Sequence, residues 1–484
     1  MPLTLITGPA NAGKAGRVLD AYLAALDREP LLVVPRFEDV GRYQRELAGR
    51  GVVFGGGVLR FTWLWREIAL RTGTSGALAG PLLRRRLLEA VIARAELRAM
   101  AGSATAPGFA PALQRLIDEL QGEAIGPPDL AAALGSARAQ ARELVAVYSA
   151  YRAALERAGR VDEAGLARGA LAGLRAAPER WRGAPVFLYG FDDFTGLELQ
   201  AIETLAADAG AEVTAALTFE DGHPAFAGRA RTALRLRALA GTEERLPARA
   251  EYYMPPARTA LHHIERALFS ADSPARVDPA AAVALHEAGG ERAEVELAAA
   301  AALDLLRAGV PAPEIAVVLR DPADQAELVA GVFASYGVPA AVSLRLPLAR
   351  TALGRALIGL LRCALAEGTS DDLIAYLRAP GLLREPQAVD RLEADVRRAG
   401  ERTAARARER WEDHHPELDE LDQLARAARG GITPLAEAAA ARARSLLTAP
   451  HRGGAPRLEG EEREDAAAYA AAAAVLQELA TLGS

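Results

Sequence analysis

Lysine is almost absent from this chain. Of 57 lysine and arginine residues in 484, one is lysine, Lys14, and the other 56 are arginine. The preference for arginine and alanine fits a GC-rich coding sequence and implies no mechanism. Because it makes Lys14 an exception, this position is the first at which we look for chemistry.

Cysteine is equally scarce. Cys363 is the only one and lies in the apolar run ALIGLLRCALA, so the chain cannot form a disulfide framework or a cysteine-held metal cluster. We expect Cys363 to be a buried thiol.

Long apolar runs are missing as well. No uninterrupted run of about 18 apolar residues occurs, and MPLTLITGPANAGK has no basic segment followed by a long apolar stretch. We therefore expect a cytoplasmic protein with no membrane partner. With 51% hydrophobic and 25% charged residues the chain is typical of a globular protein. Its net charge of −6 argues against general coating of nucleic acid but allows a local basic groove.

The order of apolar and amphipathic segments predicts an α/β fold with large helical insertions. LTLI, a glycine-rich segment, an amphipathic stretch from Arg17 to Leu26 and PLLVVP read as strand, loop, helix and strand. A third strand is expected at Val58 to Phe61, with Thr62 as the N-cap of the next helix. Strand character returns in VFLYGFDDF and AEVTAALTF, and again in VALHEA and EIAVVLR.

These signals predict two RecA-like P-loop units. The expected organisation is a first RecA-like domain in two parts (1–75 and 183–280), a helical insertion between them (76–182), the start of a second RecA-like domain (281–367) and a second helical insertion (368–484). The alanine-rich final region is read as helical, because larger apolar residues recur there at helical spacing.

The glycine-rich segment is the strongest motif. Gly8, Gly13 and Lys14 satisfy the phosphate-loop pattern G-x-x-x-x-G-K between a strand and a helix. In such a loop the backbone N–H groups, here including Asn11, point at a phosphate, and a compact ammonium serves better than a planar guanidinium. The next position departs from the pattern, because the methyl group of Ala15 replaces the hydroxyl that holds Mg²⁺. We therefore expect ATP as a possible ligand, with Mg²⁺ doubtful.

With these motifs in order, the chain resembles the UvrD/Rep-type superfamily 1 helicases, and more closely the helicase-like part of the B subunit of AddAB-type helicase-nucleases. The resemblance rests on the glycine loop, LRFTWLWREI, VYSAYRAALERAGRVDEAGL, VFLYGFDDFTGLELQAIETLA, and the region from ERAEVELAAAA to VFASYGVPAAV. It implies DNA as a ligand, single-stranded or forked, and an active helicase-nuclease subunit as the partner chain.

The resemblance also shows what is missing. Active relatives carry Asp-Glu after the strand that corresponds to VFLYGF, where this chain has Tyr189 and Gly190. Asp192 and Asp193 lie past the strand end, and either one of them substitutes for the acidic pair or they serve in the loop or as a helix cap. Arg320 matches an arginine that reaches the γ-phosphate in active relatives, or it pairs with Asp321 or Asp324. The family's cysteine-held cluster and nuclease are not found in this sequence, which predicts a fragment or a truncated relative.

Thr62 and Trp63 lie in the segment that matches the family's second motif, and are the expected DNA contacts. Of Phe61, Trp63 and Trp65, at least two are expected to fill the core, because a helix that begins near Thr62 must bury one face. Arginine runs at 84–86 and 402–410 could follow a phosphate backbone, or could be ordinary surface charge.

Three functions remain open at this point. The first is a degenerate, DNA-binding helicase-like subunit that binds nucleotide without efficient hydrolysis. The second is an NTP-dependent enzyme that acts on a small substrate, and the third is a scaffold that binds neither ligand. The retention of Lys14 argues against the third.

Overall fold

The structure, a computed structural model, describes residues 3–51, 54–74, 76–135, 138–270, 275–320, 322–341, 347–382, 385–451 and 461–482. The chain divides into two compact units. One comprises Met1–Ala79 with Arg84–Val342, and the other comprises Gly80–Leu83 with Ser343–Ser484.

The first unit contains all eight strands of the described residues: β1 (Leu3–Gly8), β2 (Leu31–Val33), β3 (Gly57–Leu59), β4 (Ala77–Leu78), β5 (Arg160–Val161), β6 (Val186–Leu188), β7 (Val213–Thr218) and β8 (Thr242–Arg245). Six of them form one parallel sheet in the order β3-β2-β6-β7-β1-β8. The short strands β4 and β5 pair separately. The expected α/β class with a parallel sheet is confirmed.

Apolar strands suit this sheet because helices cover both of its faces. Neighbouring residues of β1 show the alternation: Leu5 packs into one apolar cluster with Val33 and Leu188, and Ile6 packs into another with Val18 and Leu32. Leu5 and Ile6 are 0% and 3% exposed. The sheet therefore holds its strand ends in a fixed arrangement.

Fourteen α-helices of the described residues precede Val342: α1 (Lys14–Ala24), α2 (Phe37–Gly49), α3 (Phe61–Thr72), α4 (Pro81–Arg94), α5 (Ala101–Ala104), α6 (Phe109–Gly122), α7 (Pro127–Leu134), α8 (Ala139–Arg157), α9 (Glu163–Ala176), α10 (Gly196–Glu203), α11 (Ala230–Leu239), α12 (Arg258–Ala267), α13 (Glu291–Arg307) and α14 (Pro322–Ser335). The last two share an apolar core of their own. A π-helical turn, Thr204–Asp208, continues α10.

The second unit is helical, with α15 (Ala352–Ala364), α16 (Ser370–Leu377), α17 (Pro386–Ala399), α18 (Ala404–Glu412), α19 (Asp419–Arg429), α20 (Ile432–Thr448) and α21 (Glu461–Leu482). Leucines from several of these helices form its core, including Leu357, Leu373 and Leu424. Small buried residues such as Ala439 and Ala443 line the packed face of α20. The alanine-rich region is therefore helical, as its spacing predicts.

The second sheet that the sequence predicts is not present in the described residues. EIAVVLR was expected to be a strand, but residues 315–319 form no regular secondary structure and pair with no described strand, and the same holds for VALHEA. Apolar content gives a segment the capacity to be a strand, whereas a ladder needs a neighbouring strand. Val318 and Leu285 are accordingly 89% and 99% exposed. A second RecA-like unit is not confirmed.

Three smaller expectations also differ from the structure. The helix after β3 begins at Phe61 with Arg60 as the N-cap, so Thr62 lies in the first turn and caps nothing. The first helix begins at Lys14, earlier than Arg17. The strand β8 has no counterpart among the predicted strands, because TEER is polar and forms the edge of the sheet.

Candidate nucleotide and nucleic-acid sites

The glycine loop joins β1 to α1 at the carboxyl end of a strand inside the parallel sheet. The backbone is left-handed at Asn11 (φ 54°) and at Gly13 (φ 88°), and the helix starts directly after Gly13. Glycine is favoured at such a φ because it has no Cβ to clash with the backbone. The loop therefore has the strand–loop–helix setting that its sequence pattern requires.

Lys14 is folded back into the loop. Its side chain is buried, with the residue 6% exposed, and Nζ donates hydrogen bonds to the carbonyl oxygens of Gly8 (3.0 Å) and Pro9. Burial lowers the pKa of Lys14 to about 8, the nearby Glu265 carboxylate raises it, and the Arg229 guanidinium lowers it further. The ammonium thus lies within the loop, where the loop's own carbonyl oxygens hold it, and its expected role at a phosphate stays a prediction.

The segment after β8 lies against the loop. The hydroxyl of Tyr252 is 2.9 Å from the point where a Cβ on Gly13 would be, and a guanidinium nitrogen of Arg249 is 3.8 Å from it. Tyr253 Oη donates to Glu265 Oε2 at 2.6 Å. These four residues were not foreseen from the sequence, because no local pattern places a loop more than 230 residues away beside Lys14.

The position for a catalytic acidic pair is occupied by other groups. Tyr189 and Gly190 follow the end of β6, and the Tyr189 ring packs edge-on against Tyr43 with 5.6 Å between the ring centroids. Asp192 pairs with Arg229, while Asp193 accepts the backbone N–H of Phe194 at 2.8 Å. Both aspartates thus have local structural partners, which agrees with a loop role for them.

Ala15 follows Lys14 in the first turn of α1 and offers a methyl group only. Among the described residues, no three histidine, cysteine, aspartate or glutamate side chains are grouped so that they could hold a metal ion. Cys363 packs against the core of the second unit but is half-buried, not fully buried as expected, and burial raises the pKa of its thiol to about 12.

Arg320 is exposed and follows residues 315–319, which form no strand. The described contacts do not bring it to the glycine loop. The alternative pairing with Asp321 or Asp324 involves side chains outside the described part of the chain. Its expected role at a γ-phosphate stays a prediction.

Exposed aromatic rings lie at the carboxyl ends of the neighbouring strands β2 and β3. Phe37, which begins α2, is 65% exposed, and Trp63, in the first turn of α3, is 53% exposed. A guanidinium lies over each ring: Arg60 is 5.9 Å from the Phe37 centroid and Arg66 is 4.7 Å from the Trp63 centroid. The two pairs form what we call the aromatic–arginine surface.

The expectation for the helix LRFTWLWREI is confirmed in part. Phe61 and Trp65 are buried, at 7% and 4% exposure, so two of the three aromatics fill the core and Trp63 alone of the three is open to solvent. Thr62 is less available as a DNA contact, because its hydroxyl already donates to Glu163 Oε1 at 2.5 Å. Phe37 and Arg60 were missed by sequence reasoning, although Arg60 directly follows β3 and Phe37 comes shortly after the end of β2.

A polar cavity of about 310 Å³ adjoins this surface and is lined in part by Arg60 and Thr62. Inside it, the Gln121 amide donates to Asp162 Oδ2 at 3.0 Å, and both residues are 2% exposed. Burial raises the pKa of Glu198, which also lines the cavity. The cavity therefore offers hydrogen-bonding groups beside the exposed rings.

Most arginines of the two runs form ion pairs with nearby carboxylates. Arg84 pairs with Asp118, and Arg85 with Glu89. In the second unit Arg406, Arg408 and Arg410 pair with acidic residues of their own unit, namely Glu409, Glu412, Asp422 and Glu401. By contrast, Arg60 and Arg66 form no ion pair with a described carboxylate.

The sheet order and the loop define a parallel α/β protein whose first strand and first helix are joined by a glycine-rich, lysine-containing turn. No helix of the described residues is long and apolar enough to span a bilayer. The comparisons with known proteins give the more particular resemblance.

The family model for the ADDB N-terminal region matches residues 76–265. Proteins named as the B subunit of an ATP-dependent helicase/deoxyribonuclease are similar over most of the chain. The one from Desulforudis audaxviator is 29% identical over 474 residues, which is 90% of this chain and 40% of that protein. The one from Symbiobacterium thermophilum is 30% identical over 403 residues, or 75% of this chain and 34% of that protein.

The chain therefore resembles the helicase-like N-terminal part of this helicase-nuclease B subunit, and the resemblance seen in its motifs is confirmed. It spans at most about 40% of the length of these curated relatives.

Proposed function

We propose that this chain is the helicase-like, DNA-binding part of a helicase-nuclease subunit that processes DNA double-strand breaks. In this proposal single-stranded or forked DNA crosses the carboxyl edge of the sheet, and the motor activity belongs to an active partner subunit. The observation that carries it is the aromatic–arginine surface at the ends of β2 and β3.

The chemistry of this surface suits an unpaired strand. Bases stack on aromatic rings with a gain of about 1–3 kcal/mol each, and guanidinium groups serve the phosphates between them. Crevices outside the carboxyl ends of parallel strands are also where open α/β sheets bind their ligands. Arg66 and Trp63 are both exposed, and the polar cavity beside Arg60 offers groups for base edges.

Nucleotide binding without efficient hydrolysis is the second part of the proposal. The glycine loop and the buried Lys14 support binding of ATP, and Arg320 remains a candidate second-domain contact. Ala15, Tyr189 and Gly190 cannot supply the Mg²⁺ hydroxyl ligand or the acidic pair that hydrolysis requires. The loop alone would also suit an NTP-dependent enzyme with a small substrate, but the surface at β2 and β3 favours DNA.

Fluorescence anisotropy with a labelled forked oligonucleotide tests the DNA proposal. Trp63→Ala should weaken binding about 5- to 150-fold, the range expected for one lost stacking contact. Phe269→Ala is the matched control, because that ring is 73% exposed outside this surface. Equal losses of affinity in the two variants, or no binding by the folded wild-type chain at low salt, would favour the scaffold function.

A further inference from the structure

Four arginines lie at the amino edge of the parallel sheet, at the opposite end of the strands from the glycine loop. They line one polar cavity of about 460 Å³ and come from three separate parts of the chain: Arg28, Arg71, Arg180 and Arg182. Arg28 ends a 3₁₀ turn before β2, and Arg182 lies shortly before β6, the neighbour of β2 in the sheet. Arg71 is in the last turn of α3. The fold, and not a local run of charge, therefore brings these arginines together.

Two of the four arginines are held in place by other groups. Arg28 donates to both carboxylate oxygens of Glu212, at 2.9 and 3.0 Å, and Glu212 directly precedes β7. Arg71 donates from Nε to Glu67 and from Nη1 to the carbonyl oxygen of Trp181, both at 2.7 Å. Its guanidinium also lies 4.4 Å from the centroid of the fully buried Trp181 ring. These two side chains therefore form a fixed wall of the cavity.

The other two arginines have no carboxylate partner among the described residues. Arg180 donates one long hydrogen bond, from Nη1 to the carbonyl oxygen of Thr72 at 3.4 Å. Arg182 is exposed, and its backbone is left-handed (φ 60°), which is uncommon for a residue with a Cβ. Glu29 is the only lining carboxylate besides Glu67, which already pairs with an arginine. Two free guanidinium groups against one carboxylate leave the cavity positively charged.

The geometry of a guanidinium group indicates which anion suits the two free arginines. Its N–H donors form a planar fork that binds two oxygens of one anion side by side. One carboxylate is filled by one such group, as Glu212 is by Arg28. A terminal phosphate has three free oxygens and a charge of about −1.5 to −2 at neutral pH, so it can accept from two guanidinium groups at once. A terminal or free phosphate therefore fits better than a carboxylate or a phosphodiester.

We propose that this cavity binds a dianionic phosphate, held by Arg180 and Arg182 against the wall of the two fixed arginines. The ligand is inorganic phosphate or the terminal phosphate of a DNA strand, and the second source rests on the proposed DNA binding. The site is separate from the aromatic–arginine surface. Arg71 follows Trp63 by eight residues, which is about 12 Å along the axis of α3.

Isothermal titration calorimetry with inorganic phosphate at constant ionic strength tests the site without DNA. We expect the wild type to bind phosphate, and Arg180→Gln combined with Arg182→Gln to bind it about 10-fold more weakly, because charge-assisted hydrogen bonds are lost. The matched control is Arg115→Gln combined with Arg157→Gln, which should bind like the wild type. It removes two exposed arginines of the helical insertion that pair with no described carboxylate. Circular dichroism checks that each protein is folded.

Anisotropy with a 5′-phosphorylated and a 5′-hydroxyl oligonucleotide separates the two sources of phosphate. A DNA end is the ligand if the wild type and the control prefer the phosphorylated strand about 10-fold and the Arg180/Arg182 variant does not. Phosphate binding that this variant weakens, with no preference between the strands, assigns the cavity to free phosphate. If neither strand binds but phosphate does, the proposed DNA function fails and the cavity remains.

Three results would overturn the proposed phosphate site. One is a folded wild type that neither binds phosphate nor prefers the phosphorylated strand. Another is an equal loss of phosphate affinity in the two double variants. The third is binding of a hexaglutamate peptide without binding of phosphate, which would assign the cavity to an acidic protein partner.

Discussion

At the scale of single residues, Lys14 combines two properties that usually conflict. It is charged at neutral pH, yet it is 6% exposed and its pKa is lowered to about 8 by burial. The carbonyl oxygens of Gly8 and Pro9 satisfy its donors in the meantime. An incoming phosphate would have to replace these carbonyl oxygens as the hydrogen-bond acceptor of Nζ. It can do so because an ammonium binds a charged acceptor more strongly than a neutral one.

Replacement of Lys14 by alanine should weaken ATP binding at least 10-fold, since a charge-assisted hydrogen bond contributes about 1.5–3 kcal/mol. Lys14→Arg should weaken it as well, because the planar guanidinium does not fit a buried point-charge site. Isothermal titration calorimetry measures both effects. Arg17→Ala is the control, since Arg17 is exposed and pairs with Glu244. No heat from the wild type at millimolar ATP would remove the proposed nucleotide site.

The same lysine predicts a pH dependence of stability. Its pKa is about 8 in the folded chain against 10.5 when exposed, so the unfolded state binds more protons between these values. The free energy of unfolding should therefore rise with pH across this window, by about 1 kcal/mol between pH 7 and 9. Denaturant unfolding of wild type and Lys14→Met at both values isolates the effect, because the methionine variant lacks the titrating group. A difference between the two proteins that does not change with pH contradicts the prediction.

At the scale of elements, the ends of parallel strands decide where ligands can bind. β1 ends at Gly8 of the glycine loop, and β2 and β3 end shortly before Phe37 and Trp63. All three ends lie on one edge, because the strands of this sheet run in parallel. A helix begins after each of them, which presents backbone N–H groups at the same edge.

Salt dependence separates the two kinds of contact at β3. If Arg66 neutralises one phosphate of a single strand, Arg66→Ala should reduce the slope of log affinity against log salt by about 0.7. Trp63→Ala should weaken binding with the slope unchanged, since stacking releases no counterion. Arg85→Ala is the matched control, because Arg85 pairs with Glu89 on its own helix. Anisotropy at four or five salt concentrations gives the slopes, and identical slopes for all variants would assign Arg66 no phosphate.

At the scale of the whole molecule, the proposed function needs a second chain, because the motor activity is assigned to a partner subunit. The curated relatives are more than twice as long as this chain and are named as helicase/deoxyribonuclease subunits. The described residues supply a sheet, a glycine loop and an exposed surface, with Tyr189 and Gly190 directly after β6. These features suit a DNA-binding role beside a separate motor chain.

Steady-state ATP hydrolysis by this chain should therefore be negligible, with or without single-stranded DNA. The loss of one electrostatic element commonly lowers a rate ~10²–10³-fold, and here both the hydroxyl at position 15 and the acidic pair are replaced. A coupled-enzyme assay measures the rate. DNA-stimulated turnover near one per second that Lys14→Ala abolishes would show that Asp192 or Asp193 replaces the missing acids.

The sequence by itself determined the local features of this protein. The parallel α/β character, the loop from Gly8 to Lys14 and the helical alanine-rich region could be predicted because periodicity, glycine spacing and helix propensity act over a few residues. The burial of Phe61 and Trp65 followed from the same helical spacing. The resemblance to the helicase-nuclease B subunit could likewise be recognised from motif order.

Only the tertiary structure decided which strands pair and which distant side chains come into contact. EIAVVLR has the composition of a strand, but no described neighbour pairs with it, and TEER becomes an edge strand because β1 lies beside it. The Glu265 carboxylate lies near enough to Lys14 to raise its pKa, and Arg60 lies over the Phe37 ring, through packing that no local pattern encodes. Pairing and proximity depend on long-range packing, so the surroundings of Lys14 and the aromatic–arginine surface could be found only in three dimensions.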